Sequence, residues 1–181
     1  MAKATVTLRD FRPGDAEAVC RWFNDDRVTA DLVGSRESFD LEAAAGWVER
    51  AIDTSRDRKW AITIDGEDAA VGFVALFGLD RDLGPELAVL VGEPSAWGRG
   101  VAREAERQAC IKAFETYGAH RIHAEIPATN EAAQRVVTFL GFEREGVMRR
   151  AIVRGDKRID NQVWGLLAED FTGWESRPAQ S

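Results

Sequence analysis

Three apolar segments in the middle of the chain constrain its fold more than any other feature. "KWAITID" (59–65), "AAVGFVALFG" (69–78) and "ELAVLVG" (86–92) are short, apolar and bounded by turn residues, so each reads as a strand. The first two flank Gly66-Glu67-Asp68, which predicts a hairpin. The polar loop "LDRDLGP" separates the second from the third. A sheet built here must be covered, and helical patterns lie on either side of it in the sequence.

Upstream, "TVTLRDF" alternates as an opening strand, and Pro13-Gly14 turns the chain. Asp15 is placed to cap a helix with the stripe Val19, Trp22, Phe23. A second helix is expected from Ser38, with Leu41, Ala44, Ala45, Val48, Ala51 and Ile52 on one side. Downstream, "PSAWGRGVAREAERQACIKAFETYG" (94–118) enters a helix at about Arg99 that stops near Gly118. "RIHAEI" is a further strand. Asn130 caps "EAAQRVVTFL", with Ala133, Val136, Val137 and Leu140 on one side and Gly141 at its end. Two last strands, "EREGVMRRAIVR" and "RIDNQVWGLL", flank Gly155-Asp156-Lys157. The expected fold is α/β (α+β): one domain with a mixed, mostly antiparallel sheet of about seven strands and helices on both faces.

With 181 residues, 45% hydrophobic and 30% charged, the chain suits a single domain over 1–181, its core at about 5–171 and a flexible tail at 172–181. A net charge of -7 argues against nucleic acid as the main partner, because phosphate binding wants a basic face. The same charge permits a cationic substrate. No apolar run approaches the length of a membrane span, and "MAKATVTLRDFRPGD" lacks the apolar core of a signal peptide. Cys20 and Cys110, far apart in helical patterns, read as buried thiols, neither a disulfide nor a metal pair. A cytoplasmic protein is expected, with no metal, no membrane partner and a monomeric or homodimeric state.

Gly98-Arg99-Gly100 stands where a strand ends and a helix begins. The first turn of a helix has four backbone N–H groups without helical partners, and its dipole favours negative charge. Glycine lets a bulky anion approach the backbone, and Arg99 adds a cation. A pyrophosphate cradle and a plain turn both fit these local features. A P-loop would need Gly-Lys-Ser/Thr after its spacer, which is absent here. A dinucleotide fingerprint would need Gly or Ala where Arg103 stands, and its acidic residue would fall on Glu125, inside the next strand.

"ELAVLVGEPSAWGRGVAREA" resembles the acyl-CoA-binding segment of the GNAT superfamily, the Gcn5-related N-acetyltransferases, with Trp97-Gly98-Arg99-Gly100-Val101-Ala102 in place of the Gln/Arg-x-x-Gly-x-Gly/Ala signature. Tryptophan at the first position is similar to the RimJ/RimL-like branch, which acetylates ribosomal-protein N-termini. "LRDFRPGDAEAVCRWFND", "PATNEAAQRVVTFLGFEREGVMRR" and "VRGDKRIDNQVWGLLAEDF" resemble that branch in the same order, so the likeness spans about residues 5 to 171.

The resemblance implies an acetyl-CoA-dependent N-acetyltransferase in which a primary amine attacks the thioester directly. The acceptor would be a protein N-terminus or a small amine such as a polyamine or aminoglycoside. It implies that Val89, Leu90 and Val91 lie along the pantetheine arm and supply an oxyanion donor from the backbone. Residues 97 to 102 would hold the pyrophosphate, and Asn130 would contact the cofactor. The attacking amine must lose a proton. Glu86 is the first candidate base, with Asp160 a second; His123 reads as a strand residue and His120 as loop surface. A general acid is missing. The single tyrosine, Tyr117, ends the first cofactor helix, Phe142 has no hydroxyl, and Ala133 stands where the branch has serine. Trp22, Asn24, Arg27 and Trp164 are the candidate acceptor-site residues, set among the acid-rich first two helices and the last hairpin. A catalytically weak acyl-CoA-binding sensor or regulator is the alternative that the missing hydroxyl raises.

Overall fold

A computed structural model describes residues 3–30, 32, 39–52 and 56–174. Its seven strands are β1 (Val6–Arg9), β2 (Arg58–Ile64), β3 (Gly72–Phe77), β4 (Glu86–Val91), β5 (Arg121–Pro127), β6 (Glu143–Arg154) and β7 (Lys157–Leu167). They form one sheet in the order β1-β2-β3-β4-β5-β7-β6. Every neighbouring pair is antiparallel except β4 and β5, which run parallel. The expected mixed sheet, and the hairpin between β2 and β3, are therefore present.

Alternation along the strands separates two cores. Trp60, Ile62, Val74, Leu76, Leu87, Ile122, Ala124 and Ile126 face one side. There they meet Val101, Ala105 and Ala109 of α4 (Val101–Ile111) and Val137 and Leu140 of α5 (Glu131–Leu140). Ala61, Phe73, Ala75 and Leu90 face the other side, against Val19 and Trp22 of α1 (Ala16–Phe23) and Ala44 and Val48 of α3 (Leu41–Ile52). Helices on both faces bury the central strands, as the sequence pattern requires, while β6 at the edge stays largely exposed.

Some local expectations change. Asp26–Thr29 forms a one-turn helix, α2, that periodicity could not reveal; the Asp25 carboxylate caps it by accepting from the Arg27 N–H at 2.9 Å. Ser38, the expected start of the next helix, lies outside the described residues, and α3 runs from Leu41. Its buried stripe is Ala44, Val48 and Ala51, while Leu41 and Ile52 at its two ends are exposed. Asp15 does not cap α1 with its side chain. Its carboxylate instead accepts from Arg9 at 2.7 and 2.8 Å and from the Arg12 N–H. α4 continues as a π-helical turn over Lys112–Thr116 before Gly118 ends it. At the far end, Phe171 and Trp174 pack on Phe114, so the chain stays docked as far as Trp174; the rest of the expected tail lies outside the described residues. Cys110 is buried, Cys20 is only partly so, and both are free thiols.

Glu106 departs from the apolar pattern of α4. It is buried, and its Oε2 has no hydrogen-bond partner among the described residues. Burial raises its pKa from 4.5 to about 8, and its charge adds to the burial that lifts the Cys110 thiol one turn on. Unfolding returns the carboxyl to its ordinary range, so the folded state holds the extra proton between those two values. Stability from this group is therefore lost as pH climbs from 4.5 to about 8. Glu106→Leu is expected to be more stable than the parent, the gap widening by on the order of 5 kcal/mol across that window. Thermal unfolding of both proteins at pH 5 and pH 8.5 checks this; an equal gap at the two pH values refutes it.

Candidate active site

The sheet opens at its centre. β4 and β5 share one register pair, Glu86 with His123, reinforced by the His123 N–H donating to the Pro85 carbonyl at 3.0 Å. Beyond that pair β4 stays hydrogen-bonded to β3 as far as Val91, and β5 to β7 as far as Pro127. The edges of β4 and β5 that face each other therefore diverge into a notch. Val89, Leu90 and Val91 form one wall. Asn130 stands past the end of the other, where its Oδ1 accepts from the Ala133 N–H at 3.0 Å and caps α5.

From Val91 the chain passes through Gly92 and Glu93 into the turn at residues 97–100. The Trp97 indole N–H donates back to the Val91 carbonyl at 2.8 Å, folding the turn onto the end of β4. Gly98 and Gly100 take φ of 71° and 78°, the left-handed region that favours glycine. α4 consequently starts at Val101, two residues later than the spacing predicts, with Gly100 as its N-cap. A Cβ on Gly100 would meet nothing closer than 3.8 Å, so the ground over the helix N-terminus is open. That combination fits a bulky anion: N–H groups of the first helical turn, Val101 and Ala102 included, that find no partner among the described residues, with space above them.

Arg99 does not add its cation to that ground. Its guanidinium binds Asp65 in the β2–β3 turn at 2.5 Å, and its carbonyl accepts from the Ala4 N–H. Asp65 also accepts from the Thr5 N–H, and the Arg99 hydrogen bond is the first cause of its lowered pKa. Arg99 thus fastens the turn to the edge of the sheet.

Strand parity places Glu86, His123 and Glu125 on the face that carries α1 and α3, opposite Leu87 and Ile122. Burial raises the Glu86 pKa, and the charge of Glu125 raises it further; His123 and Arg81 offset this in part. Glu125 accepts from Asn161 Nδ2 at 2.7 Å, and Asn161 is itself buried. The sequence pattern gives neither Glu125 nor Asn161 a role in acetyl transfer, although the alternation of "RIHAEI" puts Glu125 on the same side as His123. Asp160 accepts from the Arg150 N–H at 2.7 Å, inside an irregular stretch of the β6–β7 pairing. His120 is exposed.

The four acceptor-site residues are not brought together. Trp22 is 1% exposed, and its indole N–H donates to Glu93 at 3.0 Å. Its ring fills the space left by Gly92, where a Cβ would fall 2.2 Å from Cγ. Trp164 packs in the core on the opposite face of the sheet, so the two tryptophans do not line one pocket. Asn24 spends its amide on residue 39, donating to the Phe39 carbonyl at 2.6 Å and accepting from its N–H. Arg27 is bound to Asp25 at 2.6 Å, a contact that pulls the Asp25 pKa down to about 2. Aromatic and polar residues close in sequence were thus consumed by packing and loop closure. Tyr117 lies beside Trp60, 6.4 Å between ring centroids, and Phe142 is buried in the α4–α5 core.

A family model described as "Acetyltransferase (GNAT) domain" matches residues 5–143. The chain belongs to that family. It is similar to "Uncharacterized N-acetyltransferase p20" of Bacillus licheniformis, 24% identical over 172 residues that cover 93% of this chain and 96% of the relative. Its fold is similar to the spermidine N-acetyltransferase of Vibrio cholerae solved with CoA and spermine, with a TM-score of 0.82 and 17% identity over 91% of this chain and 96% of that one. It is also similar to Mycobacterium smegmatis RimJ solved with CoA-disulfide, with a TM-score of 0.80 and 20% identity over 92% and 85%. The chain is therefore a GNAT-type N-acetyltransferase. Among its described residues no helix is long and apolar enough to cross a membrane.

The Trp22–Gly92 contact ties the first helix of this acetyltransferase to the root of the Gly98–Gly100 turn. Gly92→Ala is expected to cost about 1–3 kcal/mol through overpacking against Trp22. Chemical denaturation measures the loss, and a Gly92→Ala protein as stable as the parent would contradict the packing.

Proposed function

We propose that this enzyme transfers an acetyl group from acetyl-CoA to a primary amine, by direct attack in a ternary complex. The notch between β4 and β5, leading straight to the open N-terminus of α4, is the observation that carries the reading. Acetyl-CoA would supply an activated acyl group as a thioester. Val89, Leu90 and Val91 are assigned to its arm. The backbone of Trp97, Gly98, Arg99, Gly100, Val101 and Ala102 is assigned to its diphosphate. Asn130 is assigned a contact through its Nδ2, since its Oδ1 is used by the cap. The fold likeness to proteins solved with CoA supports the same assignment.

The acceptor enters from the α1/α3 face, where Glu86 and Glu125 meet an incoming ammonium with negative charge. Glu86 takes the proton that the amine must lose. Its raised pKa suits the task, because a more basic carboxylate accepts a proton more readily. Backbone N–H groups of β4 stabilise charge that develops on the acyl oxygen. Asp160 is held by Arg150 and contributes no proton transfer in this reading. Ala133 and Phe142 bring no hydroxyl to the thiol, so it departs as a thiolate, as its acidity near that of cysteine allows. A polyamine, an aminoglycoside and a protein N-terminus all present the required amine. The likenesses to a spermidine acetyltransferase and to RimJ support the first and the last of these, and with the last a RimJ/RimL-like assignment. The domain extends over about residues 5–171. The free thiols Cys20 and Cys110 suit a reducing, cytoplasmic setting.

Thiol release from acetyl-CoA with a panel of polyamines, aminoglycosides and short peptides is expected to show turnover with at least one class. Coenzyme binding with no turnover on any amine would overturn the reading. With the best acceptor, kcat/KM should rise as pH climbs through the raised pKa of Glu86. Glu86→Gln should lose that limb and about 100-fold in kcat/KM. Gly100→Asp keeps a residue tolerant of left-handed φ but sets a carboxylate over the α4 N-terminus. It is expected to weaken acetyl-CoA binding at least about tenfold in calorimetry, while the strain of a side chain at this φ lowers the melting temperature by only about 2–4 °C.

A further inference from the structure

The charges around the start of α4 are not equally occupied. Arg99 is bound to Asp65, and Arg107 is bound to Glu104 at 2.7 Å and to the Gly173 carbonyl. Glu104 also accepts from Gln108, so the acid next to Arg103 is committed elsewhere. Arg103 differs from both arginines: among the described residues it pairs with no carboxylate. Its guanidinium lies over the ring of Phe139 on α5, 4.8 Å from the centroid. That ring is 57% exposed, although a large aromatic on an amphipathic helix is usually turned inward. Arg103 Nη2 also comes within 3.8 Å of the point a Cβ on Gly100 would occupy. An uncommitted cation and an exposed aromatic thus extend the open ground of Gly100 outward, between α4 and α5.

We infer that Arg103, held out by Phe139, is the specificity-determining contact for the nucleotide end of the coenzyme, gripping the phosphate monoester on its ribose. This rests on the acetyl-CoA reading above. Backbone N–H groups at residues 98–102 serve the diphosphate. The monoester phosphate carries the densest remaining negative charge, about -1.5 to -2 at neutral pH, and calls for a cation of its own. A guanidinium meets phosphate oxygens with two parallel N–H groups, a geometry that lysine or a helix terminus does not supply. The Phe139 ring favours the cation electrostatically and narrows its rotamers without neutralising it. Arg99, which the sequence offers as a cation for the diphosphate cradle, is spent on Asp65.

The test is calorimetric binding of CoA and of 3′-dephospho-CoA. The parent protein is expected to bind CoA about tenfold more tightly than dephospho-CoA. Arg103→Gln should lower CoA affinity about tenfold and change dephospho-CoA affinity less than about twofold, which also certifies its fold. The dependence of CoA affinity on salt should become shallower in the same variant. Phe139→Leu should lose part of the discrimination, about threefold, with Arg103 still present. A parent with no preference between the two ligands, or an Arg103→Gln variant that loses both equally, overturns the assignment and leaves the acetyl-CoA reading standing. Failure of the parent to bind either ligand overturns both.

Discussion

β4 and β5 touch once, at Glu86 and His123, and the rest of the site depends on that single pairing. In a parallel pair that stayed in register, β4 would be hydrogen-bonded on both edges and no ligand could lie along it. Here the pairing stops one residue in, because β5 is drawn away by its continuous ladder with β7 while β4 follows β3. The result is a slot with backbone donors and acceptors on its walls. The pair at its root also delivers side chains, since Glu86, His123 and Glu125 share one face of the sheet there. One geometric event thus supplies both a slot walled by backbone and a carboxylate whose pKa is raised by partial burial and a like charge.

The turn at residues 97–100 is held by contacts from three directions. Trp97 binds it to the end of β4, Arg99 binds it to the β2–β3 turn, and Trp22 braces Gly92 and Glu93 at its root. Arg21 adds a second contact to Glu93 at 2.9 Å. Such bracing matters because donors aimed at an anion work best when they are already in place. It also explains why residues that suggest ligand contacts prove to be scaffolding. A tryptophan or an arginine near a site can raise its quality by immobilising the backbone that performs the binding.

Much of the fold was legible because hydrophobic periodicity reports burial directly. The strands at 58–64, 72–77 and 86–91 are apolar on both faces since helices cover both faces. Asn130 and Gly141 marked the ends of α5 for local reasons, a side-chain cap and a left-handed φ. α2 has no signature in the sequence because one turn has no period. The start of α4 was misplaced because two glycines in left-handed conformation delay the helix. The turn at residues 97–100 was legible from Gly98 and Gly100, whose left-handed φ draws on a conformational freedom that belongs to the residue. The acceptor side was not. Whether Trp22 faces a substrate or a glycine depends on which strand passes beside it, and that partner is 70 residues away in the chain.

The sequence by itself determined the alternation of strands and helices, the glycine turn and the acidic character of the chain, because each is encoded within a few residues. Only the tertiary structure decided which charges are spent. Arg99 and Arg103 are four residues apart and chemically identical, yet one is neutralised by Asp65 from a distant turn and the other rests on Phe139 with its charge intact. Ion pairing and burial are set by neighbours that the fold brings in from elsewhere, and they fix the chemistry of a side chain as firmly as its identity does.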